Sequence, residues 1–178
     1  MHSGNFKETI STRLKKCRKE KGMSLDAAAK VTGVSKAMLG QIERRESVPT
    51  IAVLWKIASG LDMSFSAFFT DETRPLSQDS LFPKDENMKV RVIFPYCPDT
   101  GMEMFEVTLT NHHKQTSDAH HPGVVEHILV LKGRMHAFYD GVWHLLHPGD
   151  AVRFHADQPH GYEAVDPTAV FQNIIRYI

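Results

Sequence analysis

The chain has 178 residues, of which 42% are hydrophobic, 24% charged and 9% aromatic. That composition excludes a disordered or collagen-like chain, and two cysteines, Cys17 and Cys97, are too few for a disulfide scaffold. No apolar run reaches the roughly 18 residues that span a bilayer, and residues 1–22 are rich in Lys and Arg without the apolar stretch of a signal peptide. A cytoplasmic protein with reduced thiols is expected.

The net charge is zero, yet the charges are segregated. Residues 1–70 carry 12 Lys/Arg against 6 Asp/Glu, and residues 71–178 carry 9 against 15. Histidine is divided as sharply, with His2 in the first part and the other ten in the second. A basic segment followed by an acidic, histidine-rich one reads as two modules, one meeting a polyanion and the other something small.

In chain order, apolar residues first recur at helical spacing, as in Ile10, Leu14 and Cys17 or in Ile51, Leu54, Ile57, Ala58 and Leu61. A first helix is predicted from about Phe6 to Lys21, stopped by Gly22. Ser24 with Asp26 opens a second, which ends at Gly33; Ser35 caps a third over 36–43; Thr50, after Pro49, opens a fourth. Two short helices joined by Thr32-Gly33-Val34 form a helix-turn-helix, whose second member can offer its N-terminal residues to base edges in the major groove. A short apolar turn over 64–69 follows. The text then becomes polar and proline-broken, so residues 1–70 read as an all-helical domain, 71–87 as a linker and 88–178 as an all-β domain.

Eight or more strands are predicted in the last part, over 89–95, 103–110, 125–132, 134–139, 142–146, 151–155, 160–164 and 168–177, with turns at Gly133, Asp140-Gly141 and Pro148-Gly149-Asp150. Strands at this spacing mean a sandwich or small barrel. Among them, His121, Glu126 and Gly133, then Gly149 and His160, stand in a suggestive order.

The helical segment, through Arg13-Leu14-Lys15-Lys16-Cys17-Arg18, Gly22-Met23-Ser24-Leu25, Thr32-Gly33-Val34-Ser35-Lys36, Gln41-Ile42-Glu43 and Pro49-Thr50, resembles the phage-repressor-like (lambda-repressor-like) helix-turn-helix of the xenobiotic-response-element regulators. That resemblance makes the third helix the reader: Lys36, Ala37 and Gln41 would face bases, Ser35 would cap the helix and touch phosphate, and Arg44 with Arg45 would hold the backbone. The chemistry agrees, because Lys donates to guanine acceptors, Gln pairs with adenine and arginines neutralise phosphates. Cys17 would sit in the core. Met38 could touch a thymine methyl or pack inward.

The β segment resembles the cupin double-stranded β-helix (jelly-roll) barrel, whose first motif has two histidines one residue apart, a glutamate and a glycine, and whose second has a glycine and a histidine. A helix-turn-helix fused to such a barrel is a regulator architecture. The stretches Val34 to Glu43 and Gly123-Val124-Val125-Glu126-His127 look like the bacterial subgroup associated with sulphur-compound utilisation. The chain departs from the cupin pattern: with His121 as the second motif histidine its partner position is Ala119, and with His120 as the first its partner position is Pro122. Either way one ligand is missing, and His155 and Asp157 stand where proline and glycine are usual.

What survives is His121 or His120, Glu126 and His160, two imidazoles and a carboxylate that suit one divalent metal, zinc or iron, or else a metal-free ligand pocket. Adjacent residues of an extended strand point to opposite sides, and with Ile128 and Val130 inward we expect His121 and Glu126 to enter the barrel. Phe105, Phe138, Phe154 and Tyr162 would line a mouth suited to a compact effector. The expected function is a DNA-binding transcriptional regulator, homodimeric to match a two-fold operator on double-stranded DNA, whose barrel senses a small molecule such as a sulphur-containing amino acid. The alternative is a metal-dependent cupin enzyme, a thiol dioxygenase or isomerase, carrying a DNA-binding domain for its own regulation.

Overall fold

The computed structural model describes residues 3–68 and 86–178. The chain divides into two compact units, Met1–Leu76 and Ser77–Ile178. The expected linker lies almost wholly outside the described residues.

In the first unit, helices α1 (Ser3–Glu20), α2 (Leu25–Thr32), α3 (Lys36–Glu43) and α4 (Ile51–Gly60) precede a 3₁₀ turn at Phe65–Phe68. The starts of α2, α3 and α4 are each capped by the hydroxyl expected there. Ser24 accepts from the Ala27 amide, Ser35 from Met38 and Thr50 from Val53, satisfying donors that a helix N-terminus otherwise leaves open. Gly33 ends α2 in the left-handed region at φ 65°, a conformation other residues avoid, and this sharp stop lets α3 begin three residues later. Ile10, Leu14, Leu39, Ile42, Leu54, Ile57 and Leu61 are buried together with Phe65 and Phe68, and Trp55 stacks on Phe65 at 3.8 Å. Cys17, expected in the core, is half-buried, and burial pushes its thiol up, away from the reactive thiolate.

One polar contact ties this unit together. Arg18 on α1 donates from Nε to Glu43 Oε1 at 2.6 Å and from a second nitrogen to Oε2 at 2.9 Å, and its third nitrogen reaches the Met23 carbonyl at 2.6 Å. Ser11 donates to the Glu43 backbone carbonyl. The last turn of α3 is thereby fastened to α1, which fixes the helix expected to read DNA.

Among the described residues, the second unit has nine strands: β1 (Met88–Cys97), β2 (Met102–Thr110), β3 (Lys114–Ser117), β4 (Val125–Lys132), β5 (Met135–Tyr139), β6 (Val142–Leu146), β7 (Ala151–His155), β8 (His160–Ala164) and β9 (Thr168–Arg176). They form a five-stranded sheet, β1-β2-β9-β4-β7, and a four-stranded sheet, β3-β8-β5-β6, with every pairing antiparallel. Strict alternation decides which side chains fill the interior. On β9 Ala169, Phe171, Asn173 and Ile175 are buried; on β4 Glu126, Ile128 and Val130 are; on β2 Glu103, Phe105, Val107 and Leu109 are. The Asp140-Gly141 hairpin has both residues at positive φ, as the two-residue turn between twisted strands requires. The strand unforeseen in the sequence is β3, Lys-Gln-Thr-Ser, a polar edge strand paired only to β8, with no apolar alternation to announce it.

The Arg18–Glu43 pair is nearly dry, with side chains 12% and 8% exposed. Arg18→Ala strands the Glu43 carboxylate and is expected to destabilise the helical unit by roughly 3 kcal/mol, the lower end for breaking a buried pair. Urea unfolding followed by far-UV circular dichroism tests this; an unchanged helical transition refutes it.

Candidate functional site

In the barrel, Glu126 is the centre. It is 1% exposed, and polar side chains face both of its oxygens. Its Oε1 lies 3.2 Å from His120 Nε2 and 3.4 Å from His160 Nε2, while its Oε2 accepts from Tyr162 Oη and, at 2.9 Å, from Asn173 Nδ2. Register brings these residues together: Glu126 sits opposite Ile175 of β9 and Phe154 of β7, and Asn173 follows one inward step along β9. The ligand atoms of His120, Glu126 and His160 all lie within 4.8 Å of one another.

Sequence reasoning favoured His121 over its alternative His120, and the structure reverses that choice. His120 and His121 do not lie on an extended strand but in the loop between β3 and β4, so strand alternation does not govern them. The His120 amide donates to the Ala156 carbonyl at 2.8 Å, and Ala156 donates in turn to Val124, which turns the His120 ring inward and leaves His121 exposed. Within β4 itself the alternation holds, with Glu126 inward and His127 on the other face.

The electrostatics centre on one carboxylate. Burial alone would push the Glu126 carboxyl up, but the charge of His160 and the hydrogen bonds of both imidazoles outweigh it and hold the group well below the usual carboxylate range. Burial likewise opposes charge on His160, yet Glu126, the Gln158 carbonyl and Asp118 raise its pKa above the usual value. Tyr162, buried beside the carboxylate, is pushed well above the usual phenol and remains a donor.

The donor set fits a divalent metal on one further observation. His160 Nδ1 faces the Gln158 carbonyl at 2.9 Å and must donate to it, so in the neutral ring Nε2 presents a lone pair toward Glu126 Oε1. A lone pair facing a carboxylate oxygen calls for a cation between them, either a proton on the ring or a metal ion. Separations of 3.2 and 3.4 Å are what two donors about 2.1 Å from one ion show. Tyr162 and Asn173 hold Oε2, leaving Oε1 as the single coordinating oxygen.

Of the expected effector-pocket residues, Phe105, Phe154 and Tyr162 are buried on the inner faces, Phe154 lying 5.9 Å from the His160 ring. Phe138 does not join them. It is out of phase with the inward Met135 and Ala137, pairs across strands with Trp143 and Gly161, and meets the Trp143 ring at 5.1 Å on the outer side. The next residue, Tyr139, takes the inner place, stacked on Phe154 at 4.9 Å and 3°. Asn173 was missed as well, although a polar residue in step with the apolar Ala169, Phe171 and Ile175 was its signal.

In the helical unit, Ser35, Lys36, Ala37, Gln41, Arg44 and Arg45 are all exposed, on α3 or just beyond its two ends, while Leu39 and Ile42 are buried. Met38 points outward, 38% exposed. Unforeseen were the partners of the cations: Lys36 pairs with Asp26 at 2.8 Å, Arg44 with Glu46 at 2.8 Å and Arg45 with Glu8 at 3.0 Å. These exposed pairs are weak enough to be exchanged for phosphate.

Residues 14–68 match the helix-turn-helix family model and residues 105–171 the cupin domain model. The chain is 41% identical over 176 residues, 97% of each chain, to the HTH-type transcriptional regulator SutR of Escherichia coli (strain K12). The crystal structure of an HTH_3 family transcriptional regulator from Vibrio cholerae is similar at TM-score 0.92 and 58% identity, covering 97% of both chains. The cupin domain of an XRE family transcriptional regulator from Enterobacter cloacae, 31% identical, matches 52% of this chain and 99% of that one at TM-score 0.51. The chain belongs to the helix-turn-helix transcriptional regulators that carry a cupin domain, in the subgroup that includes SutR. It is a DNA-binding regulator, and the alternative of an enzyme with an accessory DNA-binding domain is set aside, since the full-length similarity is to regulators.

The shifted groups set a pH dependence for chelator-treated protein. The raised His160 contributes stability fully below its unfolded value of 6.5 and loses it as pH rises through the folded value. The depressed Glu126 contributes above its unfolded 4.5 and keeps that contribution until pH falls through its low folded value. The barrel is therefore expected to be most stable between 4.5 and 6.5 and to weaken as pH rises from 6.5 through the raised His160 value. Urea midpoints across that range test it, and His160→Gln should flatten the decline.

Proposed function

We propose that the exposed face of α3 reads the operator and that the barrel is its sensor, holding one divalent metal on His120, Glu126 and His160 beside a small effector. The observation that carries the sensor reading is the His160 ring, fixed by the Gln158 carbonyl so that Nε2 looks at a fully buried carboxylate. His121, which the sequence favoured, has no part in this set. Zinc and iron both suit two imidazoles and one carboxylate, the metal supplying a Lewis acid with open positions for a ligand atom.

The effector reading rests on the surroundings of that cluster. Asn173 Oδ1 is buried with no hydrogen-bond partner among the described residues, an acceptor awaiting a donor. Phe105, Tyr139, Phe154 and Tyr162 offer apolar surface around it. An amino acid supplies an ammonium donor, and a thiol or thioether is a soft metal ligand, so a sulphur-containing amino acid fits both features. Ligand binding must favour one operator-binding state over another to regulate anything. A two-fold operator needs two reading helices, so the regulator acts as a homodimer, in the cytoplasm where its DNA is.

Native mass spectrometry of protein purified without chelator is expected to show a dimer with one metal per chain, absent from His160→Ala and Glu126→Gln; a metal-free wild type refutes the metal reading. On DNA, Gln41→Ala is expected to cost about 1–3 kcal/mol and relax preference at one base position, whereas Arg44→Ala should weaken binding to all sequences and lower the salt slope by about one. Equal effects of Gln41→Ala on operator and random DNA would remove Gln41 from base reading.

A further inference from the structure

The outward residues of β9, β4 and β7 make a second concavity, on the opposite side of the five-stranded sheet from the His–Glu cluster. It has a volume of about 400 Å³ and is lined by Val125, His127, Arg153, Phe154, His155 and Arg176. Register explains the grouping. Arg176, Val125 and His155 stand in one row across the three strands, and Ile174, His127 and Arg153 in the next. Residues paired across strands share a face, so both arginines and both histidines project to the same side.

The charge of this groove is uncompensated. The unit that carries it is acidic as a whole, with 15 Asp/Glu against 9 Lys/Arg in residues 71–178, yet among the described residues no carboxylate pairs with Arg153 or Arg176. The carboxylate in the next row on this face, Glu106 opposite Gln172, is taken by Arg91 at 2.9 Å. His127 adds a buried Nδ1 that has no hydrogen-bond partner among the described residues. Elsewhere on the surface, arginines of this unit are answered, as Arg134 is by Asp166 at 2.8 Å. Two unanswered guanidinium groups and an orphaned ring nitrogen around a concavity are what an anion site requires.

We propose that this groove binds a compact organic dianion, one oxyanion group on each arginine. The backbones of Arg153 and Arg176 are two strands and one two-residue step apart, roughly 12 Å, so their side chains reach inward to clamp a molecule a few carbons long rather than a single ion. Val125, at the middle of the floor, suits its carbon skeleton, and the volume falls in the small-molecule range. The site shares its walls with the barrel cluster: Val125 and His127 flank Glu126, and Arg153 and His155 flank Phe154. A ligand here grips the two strands that position the inner site from the other side, as a second input to the regulator.

The test is isothermal titration of the full-length protein with succinate, and with inorganic phosphate at matched ionic strength. Saturable succinate binding in the millimolar range or tighter, one per chain, is expected. Arg153→Ala and Arg176→Ala should each weaken it about tenfold or more, with the lysine replacements in between. Both arginines are exposed, and unchanged melting of the variants confirms that they fold. Absence of saturable binding, equal affinity for phosphate, or indifference to both arginine substitutions would each overturn the proposal.

Discussion

A negative charge shut inside a β-barrel governs the chemistry of the second unit. Glu126 is shut away from bulk solvent, and an isolated buried carboxylate would take up a proton rather than stay charged. It stays ionised because four side chains from three places in the chain converge on it: His120 from a loop, Asn173 from β9, and His160 and Tyr162 from β8. Oε2 is satisfied by neutral donors, and Oε1 is left to whatever positive charge stands between it and the two imidazoles. That asymmetry makes the cluster responsive, since a proton and a metal ion compete for the same place.

The helical unit solves a related problem differently. Glu43 is also shielded from water, but its counter-charge is built in, the fork of Arg18 matching both oxygens. Nothing is left to exchange, and the pair serves as a brace holding the end of α3 to α1. The exposed cations of α3 and its C-terminal turn are instead loosely paired to exposed carboxylates. A rigid back and exchangeable front suit a helix that must meet a fixed surface without losing affinity to its own reordering.

Alternation on β4 gives that strand two faces with different chemistry. Inward it carries Glu126, Ile128 and Val130; outward it carries Val125 and His127 beside two arginines. In a barrel wall one residue thick, the two sides cannot be mechanically independent, because the same backbone positions both.

Much of this was legible in the chain. Caps at Ser24, Ser35 and Thr50, the stop at Gly33 and the outward face of α3 follow from local rules, and the bounds of α3, β4, β6, β7 and β8 agree with the periodicity. Glu126 and His160 stood out because their order and spacing with Gly133 and Gly149 follow the cupin motifs that the segment resembles. The rest needed the tertiary structure. His120 rather than His121 enters the barrel because the loop that carries them is bonded to Ala156, and no strand period applies to a loop. Phe138 lost its place to Tyr139 because a one-residue difference in phase sends a side chain to the opposite face. β3 was invisible because a polar edge strand is defined by its neighbour β8 rather than by its own residues. The sequence by itself determined the two modules, their elements and the types of residue available for chemistry, since capping and periodicity act over a few residues. Which of those residues meet was decided by register and loop closure, which join positions as far apart as Glu126 and Asn173.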